Sequence, residues 1–415
     1  MQTRPRIIVI GGGFGGLAAV RGLRAAAADI LLIDRHNHHT FQPLLYQVAT
    51  GGIAAPSIAA PLRQILREQR NVTVLLAEAL RVDIERRTVA AGGASYPYDF
   101  LIVATGSAHS YFGHEEWSRY APALKTLDDA LRIRARILTA FERAEATPDP
   151  VAQKEWLTFL IIGGGPTGVE LAGTLAEIAR HTLAHEFRRI DPASSRVLLI
   201  EAGPRVLASF PPSLSANARH ELERLGVQVR TGSAVTALDE SGVCIGEERI
   251  AARTVLWAAG VAASSLGATL GVAVDRAGRV LVTEELAVPG HPEVFVVGDL
   301  ATLPDRHLPA VAPAAKQMGG HAAAAILARL SGRPMGPFRY RDFGSLATIG
   351  RKAAVIDFGR IRLTGILAWW VWLTAHIFFL IGFRNRVVVL IDWAEAYWSY
   401  RRAARIIIPV GERAR

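Results

Sequence analysis

The sequence predicts an α/β fold built from two successive nucleotide-binding units and closed by a helical C-terminal region. Three observations carry that prediction: an internal repeat, an acid ending the second strand of each copy, and a C-terminal segment of distinct composition. The repeat is offset by 152 residues, with Ile7-Ile-Val-Ile-Gly-Gly-Gly-Phe-Gly-Gly16 matching Phe159-Leu-Ile-Ile-Gly-Gly-Gly-Pro-Thr-Gly168. Each copy is a short apolar run, then G-x-G-x-x-G, then a helical pattern rich in Ala and Leu. Each reaches a second apolar run ending in a carboxylate: Ile30 to Ile33 before Asp34, and Val197 to Ile200 before Glu201. The glycines permit a tight turn and close backbone approach to a pyrophosphate, and the helix N-terminus offers N–H groups and a positive dipole end. The acid accepts hydrogen bonds from an adenosine ribose. One such loop is a weak signal, but two in full strand–loop–helix–strand–acid context are a strong one. Two Rossmann-like dinucleotide-binding domains follow.

Composition narrows the chemistry. Half of the 415 residues are hydrophobic and 20% are charged, which excludes intrinsic disorder. The single cysteine, Cys244, excludes an internal disulfide and a thiolate-rich metal centre, and its alternating surroundings read as core. Redox chemistry must then come from bound cofactors, and two dinucleotide sites point to FAD plus a nicotinamide. Further strands fit: Tyr98 to Gly106, its counterpart Thr254 to Gly260, and Glu293 to Asp299, whose terminal Gly298-Asp299 places a carboxylate for ribityl hydroxyls or a helix cap. No basic pair follows Glu201, which favours NADH over NADPH, although Arg205 lies four residues on. Glu170 lies two residues past the second loop, where the first copy has Ala18, and reads as a carboxylate in the first helical turn. His181 and His185 share an i,i+4 helical spacing, but no third ligand accompanies them and no metal is expected. Among His36, His38 and His39, a loop histidine near the adenine is the expectation. The stretch Ala144 to Lys154, with Pro148 and Pro150, reads as a linker.

The C-terminal segment carries the charge. From Arg351 to Arg415 there are 11 basic residues against 4 acids, a net +7 of the chain's +10, together with five of its eight Trp. Trp beside Arg and long aliphatic runs favours a membrane interface over nucleic acid. Leu363 to Phe383 is free of Asp, Glu, Lys and Arg for 21 residues, enough for roughly 31 Å of helix. Residues 384–415 are basic, however, and the Trp369-Trp370-Val-Trp372 cluster suits an interface, so a monotopic anchor is expected rather than a span. Val387 to Arg405 reads as a second, interfacial helix. If the tail adds no essential core packing, removing residues 361–415 should leave a soluble flavoprotein.

With these residues in view, the chain resembles the two-dinucleotide-binding-domain flavoproteins, and within them type II NADH:quinone oxidoreductase. The most specific stretches are His39 to Thr50, the paired glycine loops, Val296 to Ala301, Pro313 to Gly319 and Ile381 to Arg386. The resemblance implies an FAD domain in two pieces, residues 1–112 and 285–350, an NADH domain at 155–284, and a membrane-binding region at 351–415. It places Gly11, Gly13, Phe14, Gly15 and Gly16 at the FAD pyrophosphate, with Asp34 and Arg35 on the ribose side. Phe41, Gln42, Pro43, Leu44 and Leu45 would flank the isoalloxazine, with Thr105, Gly106, Gly298 and Asp299 along the FAD. Gly163, Gly165, Pro166, Thr167 and Gly168 would hold NADH, with Glu201 on its ribose and Ala259 and Gly260 at the nicotinamide side. Glu170 becomes a nicotinamide-positioning or proton-linked residue. Lys316 and Gln317 open a helix, with Pro313 as its first residue, and Gln317 would face the quinone; the opening Ala312-Pro313 departs from the Ala-Gln of some members.

The resemblance thus implies hydride transfer from NADH to non-covalent FAD and then reduction of a membrane quinone, on the cytoplasmic face of a bacterial inner membrane. A lipid surface is the expected partner, nucleic acid is not, and a homodimer is left open. Two rivals share the architecture. One is a reductase with a soluble acceptor, and the other is an FAD- and NADH-binding redox sensor. A sulfide:quinone chemistry would need more cysteines than one.

Overall fold

The computed structural model describes residues 4–304, 306, 308–399, 402 and 404–408. Expectations for residues 1–3 of the first domain and 409–415 of the tail lie outside the described residues. The first elements are β1 (Arg6–Ile10), α1 (Phe14–Gly22), β2 (Asp29–Asp34), β3 (Val72–Leu76), β4 (Phe100–Val103) and α2 (Leu127–Ala146). Then come β5 (Thr158–Ile162), α3 (Pro166–Glu177), β6 (Arg196–Ile200), β7 (Val227–Arg230), β8 (Thr254–Trp257), β9 (Ala287–Val288), β10 (His291–Val296) and α4 (Ala312–Leu330). The chain closes with β11 (Ser345–Gly350), β12 (Ala353–Asp357), β13 (Arg362–Thr364), α5 (Gly365–Phe379) and α6 (Phe383–Ser399). Two compact units result, one of residues 1–40, 60–109 and 261–343, the other of 41–59, 110–260 and 344–415.

The first unit is a six-stranded sheet in the order β9-β10-β4-β1-β2-β3, parallel except for the β9–β10 pair. Continuous apolar runs form its centre because a parallel strand covered on both faces has no solvent side; Ile7 to Ile10 are all buried. Small residues let α1 and α4 close on each other. A Cβ at Gly319 would collide with the Gly15 carbonyl.

The second unit repeats the plan with a four-stranded parallel sheet, β7-β6-β5-β8. It adds an antiparallel sheet of β11, β12 and β13, on which α3 and α5 pack. Four sequence expectations change here. Ala144 to Lys154 is helical apart from residues 147–149, because Thr126 and Asp129 form a capping box for α2 and Asp149 caps the helix Pro150–Trp156. His181 closes a π-helical turn, Ile178–Thr182, and His185 lies beyond it in a turn, so the pair does not share a regular helix face. Cys244 is only partly buried, in the central strand of a three-stranded antiparallel ribbon with its sulfur 3.5 Å from the Arg249 guanidinium. Val387 to Arg405 is not one helix, since α6 begins at Phe383 and ends at Ser399.

The apolar stretch Leu363 to Phe383 does not form one helix either. Its helical part, α5, is 15 residues, about 22 Å at 1.5 Å per residue against a bilayer core of roughly 30 Å. A turn through Gly382 at φ 90 then starts α6. Among the described residues, no helix is long and apolar enough to cross a membrane.

Candidate functional site

In the first unit the glycine loop joins β1 to α1. Gly11 sits at φ 99, where a side chain is strained, and a Cβ at Gly16 would fall on the Gly11 carbonyl. Nothing stands within 4 Å of a Cβ placed at Gly13, so the loop presents open backbone at the helix N-terminus. Asp34, at the end of β2, accepts from the Gly12 N–H at 2.5 Å and the His36 N–H at 2.6 Å. Its carboxylate is thereby aimed along the loop. Arg35 instead turns to Glu78, 3.7 Å away on the surface. Asp299 accepts from the Ser107 hydroxyl at 2.7 Å, beside Gly298 in a short 3-10 turn whose N-cap is Val297, so Asp299 is not a helix cap. Among the described residues, buried Thr105 Oγ1 and His39 Nε2 have no protein partner. An open loop, an aimed carboxylate and two orphaned polar atoms fit a dinucleotide cofactor.

His39 is the residue that the motif reading undervalued. Its ring donates from Nδ1 to the Gly12 carbonyl at 2.9 Å and meets Phe14 edge-on at 5.0 Å. Burial, aided by the charges of Lys316 and Arg21, lowers its pKa from 6.5 to about 4. The folded chain therefore keeps His39 neutral while the unfolded chain takes up a proton between pH 6.5 and 4, and stability falls as pH drops through that window. The full shift corresponds to about 3 kcal/mol. We expect His39→Asn, which retains a donor toward Gly12, to flatten that part of the pH profile. Urea midpoints at pH 7 and pH 4.5 measure it, and an unchanged acid loss would refute the assignment.

α4 begins at Ala312, so Pro313 is its second residue rather than its first. Lys316 lies 5.3 Å from the Phe14 ring, and burial lowers its ammonium pKa. The Gln317 amide is engaged at both ends, donating to the Arg341 carbonyl at 2.9 Å and accepting from the Arg341 N–H at 2.9 Å. One amide hydrogen remains for a further acceptor.

The second unit reproduces the loop. Gly163 sits at φ 109, a Cβ at Gly168 would fall on the Gly163 carbonyl, and the space before Gly165 is open. Pro166 and Thr167 start α3 there, Pro166 supplying a preset φ where an N–H would be orphaned. Glu201 directly follows β6 and accepts from the Gly164 N–H at 2.5 Å and the Gly203 N–H at 2.6 Å. Arg205 is turned inward, donating to the carbonyls of Phe210 and Ala208 at 2.7 and 2.8 Å, which removes the basic candidate for a 2′-phosphate. Ala259 and Gly260 follow the end of β8.

Glu170 is not in the first turn. It is the fifth residue of α3, beyond most of the dipole's reach. Burial pushes its carboxyl well above the usual range, against a hydrogen bond from the Thr348 N–H. Glu170, Thr174 and Glu177 recur at i, i+4 and i+7 and so share one face of α3. Thr174 and Glu177 line a recess of about 100 Å³ with Tyr46, Thr348, Trp372 and Arg402, roomy enough for several waters. Glu177 pairs with Arg402 at 3.4 Å, both side chains nearly enclosed. No local signal reveals a pair separated by 225 positions. Phe41, Leu44 and Leu45 are buried in this unit, with Gln42 and Pro43 in the intervening turn. The Phe41 ring stands edge-on to that of His376 at 6.1 Å.

Comparisons with known proteins agree with this layout. The family model described as pyridine nucleotide-disulphide oxidoreductase matches residues 5–319, and that of the NDH2 C-terminal domain matches 343–401. The type II NADH:quinone oxidoreductase Ndh of Mycobacterium tuberculosis is 45% identical over 96% of this chain and 89% of its own. The chain belongs to the type II NADH:quinone oxidoreductase family. A second member from the same organism, NdhA, is 44% identical over 97% of this chain and 89% of its own. The solved structure of NDH2 from Plasmodium falciparum in complex with NADH superposes with a TM-score of 0.88, covering 98% of this chain and 100% of that one. At 20% identity it speaks for the fold alone. The family's broader name mentions a disulphide, which a chain with one cysteine cannot form within itself.

Proposed function

We infer that this chain oxidises NADH through a bound flavin and reduces a quinone, as its family does. The single observation that carries the reading is the duplicated loop with its aimed acid, Asp34 in one unit and Glu201 in the other. We assign the flavin, as FAD, to the first unit and NADH to the second. Gly11, Gly13, Phe14, Gly15 and Gly16 would hold the FAD pyrophosphate and Asp34 its ribose, with Thr105, His39 and Asp299 offering further polar contacts. Bound FAD supplies the two-electron relay between NADH and quinone.

The chain's own residues bind and orient. Glu201 receives the adenosine ribose hydroxyls of NADH and repels a 2′-phosphate, with Arg205 unable to offset it. Burial raises the pKa of the Glu170 carboxyl, which biases it toward its protonated form in the second unit. Gln317 keeps one amide hydrogen for a quinone carbonyl, and Lys316 adds positive charge near Phe14.

The exposed faces of α5 and α6 carry Leu367, Trp370, Phe378, Phe383, Ile391 and Trp398. Such an apolar patch, set in a segment of net +7, supports a peripheral attachment to an anionic bilayer from one side. We place that side at the cytoplasmic face.

One experiment tests the reading. The protein, purified in detergent, is mixed anaerobically with NADH or NADPH and then with a short-chain quinone. NADH should bleach the flavin with a far higher kcat/KM than NADPH. Gln317→Ala should slow reoxidation by quinone roughly tenfold, the loss of about 1.4 kcal/mol of hydrogen bonding, with bleaching by NADH nearly unchanged. Equal use of the two donors would overturn the role of Glu201. An equal loss in both half-reactions would remove Gln317 from the quinone side.

A further inference from the structure

We propose that Phe112 is the aromatic wall against which the nicotinamide half of NADH packs in the second unit, an inference that rests on the NADH site assigned above. The sheet runs β7-β6-β5-β8, and the chain leaves β5 toward β6. The crevice at the carboxyl ends of the strands therefore opens between β5 and β8, where ligands of such sheets bind. Glu201, at the end of β6, takes the adenosine ribose, and the N-terminus of α3 takes the pyrophosphate. The remaining half of the dinucleotide then extends over the end of β8, where Trp257 leads into Ala258, Ala259 and Gly260.

Phe112 stands at that place. Its backbone is left-handed at φ 54, a rare conformation for a bulky residue, and 66% of its surface is exposed. Both features are costly, and neighbouring groups enforce them. Tyr111 turns inward, stacking on Trp257 at 5.0 Å and donating its hydroxyl to the Ala121 carbonyl at 2.8 Å. The Trp257 indole N–H donates to the Ser110 carbonyl at 2.9 Å, and the Phe112 N–H donates to Ser110 Oγ at 3.2 Å. With Tyr111 fixed in the core, the next side chain is thrown outward. Its ring lies on Gly260 so closely that a Cβ there would strike it. Strain held in place by surrounding packing is characteristic of ligand clamps, and an exposed flat ring matches a planar heteroaromatic ligand.

Anaerobic rapid mixing of the holoprotein tests the proposal. Saturation of flavin bleaching gives the dissociation constant of NADH, and ADP-ribose, which lacks the nicotinamide, gives an inhibition constant for the other half. Phe112→Ala should weaken NADH about three- to tenfold, the range of one aromatic contact, with ADP-ribose inhibition unchanged and Phe112→Tyr close to the parent protein. Parallel weakening of NADH and ADP-ribose would make Phe112 merely structural, and unchanged NADH affinity would remove it from the site; either result overturns the proposal. Failure of ADP-ribose to compete with NADH in the parent protein would instead overturn the nucleotide site itself, and the proposal with it.

Discussion

Gly168→Ala is expected to abolish NADH oxidation while the flavin stays bound, and Gly16→Ala to yield a protein that no longer retains flavin. At both positions a Cβ would fall on a backbone carbonyl of its own loop, that of Gly163 or Gly11. Backbone cannot yield as a flexible side chain does, so the loop or the helix start must move. The N–H groups facing the pyrophosphate move with it. Misplacement by about 1 Å costs on the order of 100-fold in rate, and weaker binding adds to that loss. Flavin absorbance per protein and the rate of bleaching by NADH read the two outcomes separately. If Gly168→Ala emptied the flavin site and Gly16→Ala spared it, the assignment of the two units would be reversed.

The second large effect concerns the membrane. Replacing Leu367, Trp370, Phe378 and Trp398 with Ser should release the protein from anionic vesicles, because these residues are 52–81% exposed and leave most of their apolar surface facing outward. Each large apolar side chain taken out of water contributes about 1.5–3 kcal/mol, so losing four should weaken partitioning by more than 100-fold. High salt should release the parent protein only in part, since screening acts on the arginines and not on the apolar contacts. Sedimentation with vesicles measures both arms. Retention of the substituted protein would show that another surface binds lipid.

Truncation is the wrong instrument for that question. The condition under which removal of residues 361–415 leaves a soluble flavoprotein is not met. Trp372 and Val389 are buried, the Trp393 indole donates to Gln47 at 2.6 Å, and Arg402 pairs with Glu177. Removing one partner of an enclosed ion pair leaves an uncompensated charge. The same helices present one face to the body of their unit and the other to solvent.

Much of this protein is legible along the chain because the decisive signals are local. A β-branched run, a glycine triplet and a small-residue helix fall within about 20 residues, and backbone sterics leave them one arrangement, which is why both dinucleotide units and their terminal acids are readable in the sequence. The absence of a second cysteine is equally local, and it alone assigns the redox chemistry to cofactors. What the tertiary structure decided depends on partners remote in sequence. Glu170 reads as a dipole-stabilised acid until burial beside Thr348, 178 positions later, shows a raised carboxyl. Arg205 stands in the sequence as the one reservation against NADH, until it folds back on Phe210 and Ala208. The apolar stretch from Leu363 reads as long enough to span until Gly382 breaks it and Trp372 packs inward. Composition bounds what a segment can do, whereas burial and hydrogen-bond partners, set by the packed fold, select which of those possibilities is realised.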